Sequence, residues 1–329
     1  MLQNFGANVR IFTRKILHLN QILIMLDRRF IRQSAAAAGF DLCGVAPCRH
    51  LVRNELFFRR WLEAGRHASL GYLERNLDKR FDVRRLVEGA QTVVVCAVGY
   101  KNELSDGYPD EFGAKIASYA LSADYHATLK GMLGDLFGRL RAVQPDLAGR
   151  AFVDSAPLLE KQLAVEAGLG WIGRQSLLVT PQLGSFVLLG ELVLDAACDG
   201  YDEPLASAGC GACRRCVEAC PADAVCDDRA IDARRCISCH TIERPSASEI
   251  VLGGWIFGCD ACQSRCPYNR RAPRHRHPAF DPAFDPLAYP PERWLAMGEE
   301  EFRATFGRTP LLRSGLQRLQ VNAARNLHG

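Results

Sequence analysis

Ten cysteines between Cys210 and Cys266 constrain this chain more than any other feature. Cys210-x2-Cys213-x2-Cys216-x3-Cys220-Pro221 is a complete iron–sulfur run. Two intervening residues let a tight turn aim both thiolates at one cluster while backbone N–H groups point at the sulfurs, and the proline stops the turn that follows. A second run, Cys259-x2-Cys262-x3-Cys266-Pro267, lacks its first cysteine, because Ile256 occupies that position. Cys236 and Cys239, in Cys236-Ile237-Ser238-Cys239-His240, and the more distant Cys226 are the available sources of the missing ligand. From about Cys198 to Tyr268 there is little room for an apolar core, so the clusters themselves must hold the segment together. A zinc ribbon would use the C-x2-C pairs but leaves two C-x3-C-P endings unexplained.

In two-cluster ferredoxins the fourth cysteine of each run serves the other cluster. Here that rule groups Cys210, Cys213 and Cys216 with Cys266, and Cys220 with Cys259, Cys262 and one remote ligand. The other cysteines, Cys43, Cys48, Cys96 and Cys198, are scattered and read as small buried hydrophobes. The chain has 14 cysteines in 329 residues and no secretory pattern, which argues for metal binding over disulfides. Asp27-Arg28-Arg29-Phe30-Ile31-Arg32 superficially fits a twin-arginine export signal, but the alanine run after it ends at Gly39 and Asp41, too early for an apolar export segment. A helix running into a strand is expected there instead. Residues 1–24 are too short and too charged to span a bilayer and are expected to be an extension, with Met25 a candidate start. The composition, 48% apolar and 24% charged with net charge +4, is that of a soluble globular protein and points only weakly to a polyanionic partner.

Between Arg28 and about Asp195, helical stretches alternate with β-branched runs such as Thr92-Val93-Val94-Val95 and Ala151-Phe152-Val153, which argues for an α/β domain. Asp154 closes the second of these runs, just before Ser155-Ala156-Pro157, where a helix start is expected. Ligands of α/β sheets sit outside the carboxyl ends of strands, so Asp154 is the candidate for proton chemistry. On spacing alone a helix N-cap stands beside that reading. Gly168-Leu169-Gly170-Trp171-Ile172-Gly173 matches G-x-G-x-x-G, but it follows a helical stretch and leads into the strand-like Ser176 to Thr180, the reverse of a dinucleotide fingerprint. Its glycines are expected to let the backbone approach another large flat ligand. Two helical patterns, about 291–306 and 311–327, close the chain.

With these motifs in place the chain resembles the epoxyqueuosine reductase family from about Arg28 to Tyr268. The likeness is carried by Tyr72-Leu73-Glu74-Arg75-Asn76, Lys79-Arg80-Phe81-Asp82, Asp124-Tyr125-His126, Val153-Asp154-Ser155-Ala156-Pro157 and the Gly168 to Gly173 segment. It continues through Leu189-Gly190-Glu191-Leu192, the complete cysteine run, Cys236-Ile237-Ser238 with Thr241-Ile242-Glu243, and Gly254-Trp255-Ile256-Phe257-Gly258-Cys259-Asp260. The resemblance implies an α/β (α+β) cobalamin-binding domain (25–197), a double [4Fe-4S] ferredoxin-like module (198–270) and a tail (271–329) able to contact tRNA. It implies an enzyme that reduces epoxyqueuosine to queuosine in the tRNA anticodon, with Asp154 as proton donor. Cobalamin is expected against Arg80, Tyr125, His126, Asp154, Gly173, Ser176, Leu178, Thr180, Ser185, Leu189 and Leu192. The metal ligands become Cys210, Cys213, Cys216 and Cys266 for one cluster and Cys220, Cys236, Cys259 and Cys262 for the other. Cys239 stands where the family often has tyrosine.

The implied chemistry delivers electrons through the clusters to cobalamin and a proton to the departing oxygen, in a cytoplasmic monomer with no membrane and with a flavodoxin or ferredoxin as electron donor. Arg270, Arg271, Arg274, Arg276, Arg313, Arg318 and Arg325 are expected to form a basic face for the anticodon arm, or else a merely solvated one. Many family members continue into helical repeats that add tRNA contacts, and Val321 to Gly329 resembles the opening of that region and then stops, so a weaker grip on tRNA is expected. A reductive dehalogenase-like reductase of a small molecule and a ferredoxin-type electron carrier are the alternatives. The first would be cytoplasmic, since a respiratory reductive dehalogenase should carry an export signal, and the second leaves the N-terminal domain without a purpose.

Overall fold

The computed structural model describes residues 25–206, 209–243 and 250–327; the extension expected at 1–24 lies outside them. In chain order the first domain runs α1 (Arg28–Ala37), β1 (Leu42–Pro47), α2 (Val52–Glu63), α3 (Leu77–Phe81), β2 (Thr92–Gly99), β3 (Lys115–Ile116), α4 (Tyr125–Val143) and β4 (Gly149–Phe152). It continues with α5 (Glu160–Glu166), β5 (Trp171–Ile172), β6 (Leu178–Val179) and β7 (Val187–Leu194). The expected helix running into a strand is α1 and β1.

β2 is buried along its whole length, as a central strand covered on both faces requires. It pairs with β1 on one side and β7 on the other, and β4 adds to β7, giving the order β1-β2-β7-β4. Every pairing in this sheet is antiparallel. The alternation of helices and strands had argued for α/β, and the antiparallel sheet makes this an α+β domain; the strand-end rule that nominated Asp154 therefore does not apply. The cause lies in the connections: β2 and β7 meet edge to edge although two helices, α4 and α5, and several short elements separate them in sequence.

Helices α1 and α4 cover one face. In α1 the buried residues Ile31, Ser34 and Ala35 follow helical spacing, as do Leu129, Met132, Leu133, Leu136 and Leu140 of α4. Asp27 caps α1 by accepting from the Phe30 N–H at 3.0 Å. α5 covers the other face, packing Leu163 and Ala164 against Val93, Val95 and Phe152.

The cysteine module comprises α6 (Arg215–Glu218), α7 (Ile237–Ile242), β8 (Trp255–Phe257), α8 (Ala261–Ser264) and α9 (Pro267–Arg271). Ile256, standing where a cysteine was missing, is fully buried in β8, which pairs in parallel with β3 of the first domain. The tail forms α10 (Pro291–Ala296), α11 (Glu299–Phe306) and α12 (Gly315–Leu327), so the first expected helix is broken at Met297 and Gly298. One core joins Ile116, Ile256 and Phe257 to Trp294, Phe302, Phe306, Leu311 and Leu319, fastening the tail to the β3–β8 pair. A polar joint adds to this attachment. Asn269 accepts the Ser185 N–H at 2.6 Å and donates to the Ser185 hydroxyl at 2.9 Å, and Lys101 donates to the Asn269 carbonyl at 2.8 Å. Buried Asp260 accepts the Ser118 N–H at 2.7 Å. No described helix is long and apolar enough to cross a membrane.

Candidate cluster sites and reductase cleft

The eight expected cysteine ligands fall into two groups of four. Burial raises the Cys216 thiol, and Cys210, Cys266 and Cys213 add to the rise by their proximity. Burial likewise raises Cys262, whose neighbours are Cys259, Cys236 and Cys220. Cys236 takes part in the second group together with Cys220, as the rearranged pattern requires. Cys239 is instead a neighbour of Tyr72 across the cleft described below, and the Cys226 thiol is directed to the Ala224 carbonyl at 3.8 Å.

Backbone N–H groups are aimed at the sulfurs, as cluster ligands need. Cys220 Sγ accepts from Ala224 N–H at 3.2 Å. Cys236 accepts from Ser238 and Cys239, Cys259 from Ala261, and Cys266 from Tyr268 and Asn269. Among the described residues no three Cys, His, Asp or Glu side chains converge closely enough to hold one metal ion. The donor set and the N–H directions fit two larger thiolate-held clusters.

Asp154 lies beyond the end of β4 and is not a helix cap: α5 begins at Glu160, after Leu159. The chain covers 153–159 as an irregular loop, because Pro157 and two backbone bonds, Ser155 to Val153 and Leu158 to Ala156, turn it tightly before the helix can start. Asp154 itself is left-handed, with φ +51°. The described non-glycine residues at positive φ are six, and three of them, Asn76, Asp154 and Ser176 (φ +54°, +51° and +60°), fall in segments named for the site. Such backbone costs roughly 1–2 kcal/mol per residue, less for Asn and Asp, and collects at functional sites.

The surroundings of Asp154 are specific. Tyr125, the first residue of α4, donates its hydroxyl to Asp154 Oδ2 at 2.7 Å, and His126 Nε2 lies 3.6 Å from the same oxygen. The Tyr125 and His126 rings stack 4.2 Å apart. Asp124 holds the imidazole by its Nδ1 at 2.7 Å and caps α4 through the His126 N–H. Glu160 accepts the Asp154 N–H at 2.6 Å. Burial first, then the Asp154 charge, pushes the Tyr125 hydroxyl upward, so it remains a donor. Tyr72 and Tyr119 also sense Asp154, together with Glu243 and Arg313, which pair with each other at 2.5 Å. The cleft thus lies between the first domain, α7 and the tail.

Other expected residues take distinct places. Arg80 is buried, its guanidinium 5.6 Å above the Phe58 ring, and its Nε has no acceptor. Trp171 Nε1 and Gln175 Nε2 are likewise buried donors without acceptors. Three unmet donors in the segments expected to meet cobalamin fit a ligand rich in amide and phosphate acceptors. Leu178, Thr180, Ser185 and Leu192 are buried; Leu192 belongs to the core under α1 and α4, and the Thr180 and Ser185 hydroxyls donate to Gly184 and Gln263. The glycines of the Gly168 to Gly173 segment meet protein: a Cβ on Gly170 would lie 2.1 Å from the Val179 carbonyl, and one on Gly168, at φ +71°, 2.8 Å from that of Glu203. Packing accounts for the glycine spacing that had suggested a ligand.

The expected basic face is divided. Arg274 pairs with Glu103 and Arg313 with Glu243, while Arg318 and Arg325 donate to the Ile242 and Ile250 carbonyls. Of the scattered cysteines, Cys96 and Cys198 are buried and Cys43 and Cys48 half-buried. Sequence reasoning gave no role to Tyr119, Glu160, Glu191 or the Glu243–Arg313 pair. Only Glu191 carried a signal, as a lone charge in the apolar run of β7.

The family model described as "Epoxyqueuosine reductase QueG, DUF1730" matches residues 80–155, and the one described as "4Fe-4S double cluster binding domain" matches 209–269. The epoxyqueuosine reductase of Cyclobacterium marinum is 38% identical over 310 residues, 91% of this chain and 95% of that protein. That of Xanthomonas campestris pv. campestris is 37% identical over 302 residues, 89% of this chain and 84% of that one. Among solved structures, the epoxyqueuosine reductase of Streptococcus thermophilus superposes with a TM-score of 0.80 at 28% identity, covering 91% of this chain and 81% of its own. An epoxyqueuosine reductase with an epoxyqueuosine-modified tRNA-Tyr stem loop gives 0.82 at 25% identity, with coverage of 91% and 80%. The Bacillus subtilis enzyme, captured with its catalytic aspartate loop swung out of the active site, gives 0.79 at 26%, again covering 91% and 80%. With 38% identity to a curated epoxyqueuosine reductase over 91% of its length, the chain that carries these cysteine groups and this aspartate belongs to the epoxyqueuosine reductase family.

Proposed function

We propose that this chain reduces epoxyqueuosine to queuosine at the wobble position of tRNA, using two [4Fe-4S] clusters and cobalamin. The observation that carries the reading is the arrangement of two four-cysteine groups beside a cleft in which a strained aspartate is held by Tyr125 and His126. Cys210, Cys213, Cys216 and Cys266 hold one cluster, and Cys220, Cys236, Cys259 and Cys262 the other. The residues for the corrin are Arg80, Tyr125, His126, Gly173, Ser176 and Leu189, with the backbone around Leu178, Thr180 and Ser185, whereas Leu192, expected there, lies in the core under α1 and α4. Bound there, the clusters supply one-electron transfer and the corrin cobalt a strongly reducing centre.

The chain's own part is to orient the substrate and to manage protons. Tyr125 donates to Asp154 Oδ2 and so leaves Oδ1 as the oxygen that carries a transferable proton. His126 and Tyr125, stacked on each other, fix the direction of that carboxyl. Asp260 and Asn269, each close to a cluster cysteine and bonded into the first domain, keep the distance between cysteine groups and cleft constant. We further assign the anticodon arm to the cleft mouth near Tyr72 and Arg313, a flavodoxin or ferredoxin as electron donor, a monomer and a cytoplasmic location.

The test is anaerobic reconstitution with iron, sulfide and cobalamin, followed by incubation with epoxyqueuosine-containing tRNA and a low-potential reductant. Nucleoside mass spectrometry should show queuosine with the wild type and little with Asp154→Asn. A loaded protein that leaves the tRNA unchanged would overturn the assignment.

A further inference from the structure

Glu191 is a carboxylic acid in an unusual place. Its strand partners are Val95 of β2 and Phe152 of β4, so it points under α5 into an apolar layer with Leu163. It is 0% exposed, and neither carboxyl oxygen receives a hydrogen bond from a donor. The carboxyl that it meets is that of Glu160, the first residue of α5. Two carboxylate oxygens are both acceptors and can face each other in an apolar layer only with a proton between them. The same Glu160 accepts the Asp154 N–H at 2.6 Å, so the buried acid ends directly beneath the donor loop.

The reaction supplies the reason for such a store, and this inference rests on the functional reading above. Converting the epoxide to an alkene breaks both C–O bonds, forms one C=C π bond and consumes two electrons from the low-potential donor. The oxygen leaves as water and therefore takes two protons, while Asp154 carries only one. We propose that Glu191 and Glu160 share the second proton and return it to Asp154 within the turnover, making them positioning residues behind the donor.

Burial, and then the neighbouring carboxylates, raise both groups: Glu191 lies well above the ordinary carboxyl range and holds the shared proton, and Glu160 is pushed up to about 7. The titratable groups around the pair are Asp154 on the loop, Lys161 on α5, Tyr125 on α4, and the Cys96 thiol on β2 with Cys43 beside it on β1. Lys161 directs its ammonium to the Ser176 carbonyl at 2.7 Å, so it does not supply the missing hydrogen bond to Glu191.

Infrared spectroscopy of the full chain without cofactor tests the pair. At pH 8 a buried protonated-carboxyl band, shifting in D2O, should appear in the wild type and in Asp154→Asn and vanish in Glu191→Gln; an unchanged band in Glu191→Gln would overturn the pair. In the loaded enzyme Glu191→Gln should lower kcat on the order of 100-fold at an unchanged KM for tRNA. The alkaline limb of its pH profile should also move to lower pH, which loss of packing alone would not cause. Wild-type kcat with an unmoved limb would overturn the store. If Glu191→Gln does not fold, Glu160→Gln is read by the same two measurements and the same two outcomes. A band lost in Glu191→Gln together with a wild type inactive on epoxyqueuosine tRNA would sink the functional reading and leave the pair standing.

Discussion

Replacing Cys236 and Cys239 one at a time separates two thiols only three residues apart. Cys236 stands with Cys220, Cys259 and Cys262, and its sulfur receives the N–H groups of Ser238 and Cys239. Two groups of four thiolates imply two cubes and about eight irons per chain. Cys236→Ala leaves three sulfurs in one group, so iron and acid-labile sulfide should fall to about half after anaerobic reconstitution, and the charge-transfer absorbance with them. Cys239→Ala should keep about eight irons. Cys239 is buried in α7, so its loss removes packing of about 1 kcal/mol and lowers stability without touching iron. The assay is metal analysis on protein whose far-ultraviolet circular dichroism matches the wild type. Loss of half the iron in Cys239→Ala with full retention in Cys236→Ala would refute the grouping.

Tyr125→Phe removes the donor to Asp154 Oδ2, a hydrogen bond to a charged group worth about 1.5–3 kcal/mol, and should slow single turnover roughly 10-fold or more. Ile256→Ala opens a void at the β3–β8 junction and should cost about 2–5 kcal/mol in chemical denaturation. Gly170→Ala forces a Cβ against the Val179 carbonyl and should cost about 1–3 kcal/mol; an unchanged melting temperature would show that β5 and β6 separate freely. Glu160 is raised from its ordinary 4.5 to about 7, so the folded state binds the extra proton in that window. Its contribution to stability is complete below pH 4.5, declines as pH rises and is gone above about 7. Glu160→Gln should flatten the fall of melting temperature across this range, and an unaltered slope would count against the raised carboxyl.

Local signals were readable from the residues wherever the chemistry is local. The cysteine spacing named seven cluster ligands outright, because a C-x2-C turn is set within four residues. The remote ligand needed the third dimension, since nothing in the Cys236 to Cys239 segment tells which thiol turns toward Cys262. Asp154 was nominated by its position after a β run, although the supporting argument assumed a parallel sheet and a helix starting at Ser155, whereas the sheet is antiparallel and α5 starts only at Glu160. Tyr119 and Glu191 escaped because their charged neighbours, Asp260 and Glu160, are distant in sequence, and Glu160 because nothing in the Pro157 turn shows that it folds back on the Asp154 N–H. The arginine count after Cys266 overstated a free basic face, since composition does not show that Arg274 and Arg313 meet carboxylates or that Arg318 and Arg325 meet carbonyls.

The parallel pairing of β3 with β8 has a consequence for biosynthesis. Its two strands lie more than a third of the chain apart, so on the ribosome β3 emerges long before its partner. Until Trp255 to Phe257 arrive, Ile116 and the apolar residues around it have an unpaired edge, the kind of edge that recruits other chains. Between the strands the chain makes five of the eight grouped cysteines, and three more follow β8. Iron delivery and closure of this edge therefore fall in the same interval of synthesis, and a shortage of iron should appear first as aggregation of newly made chains.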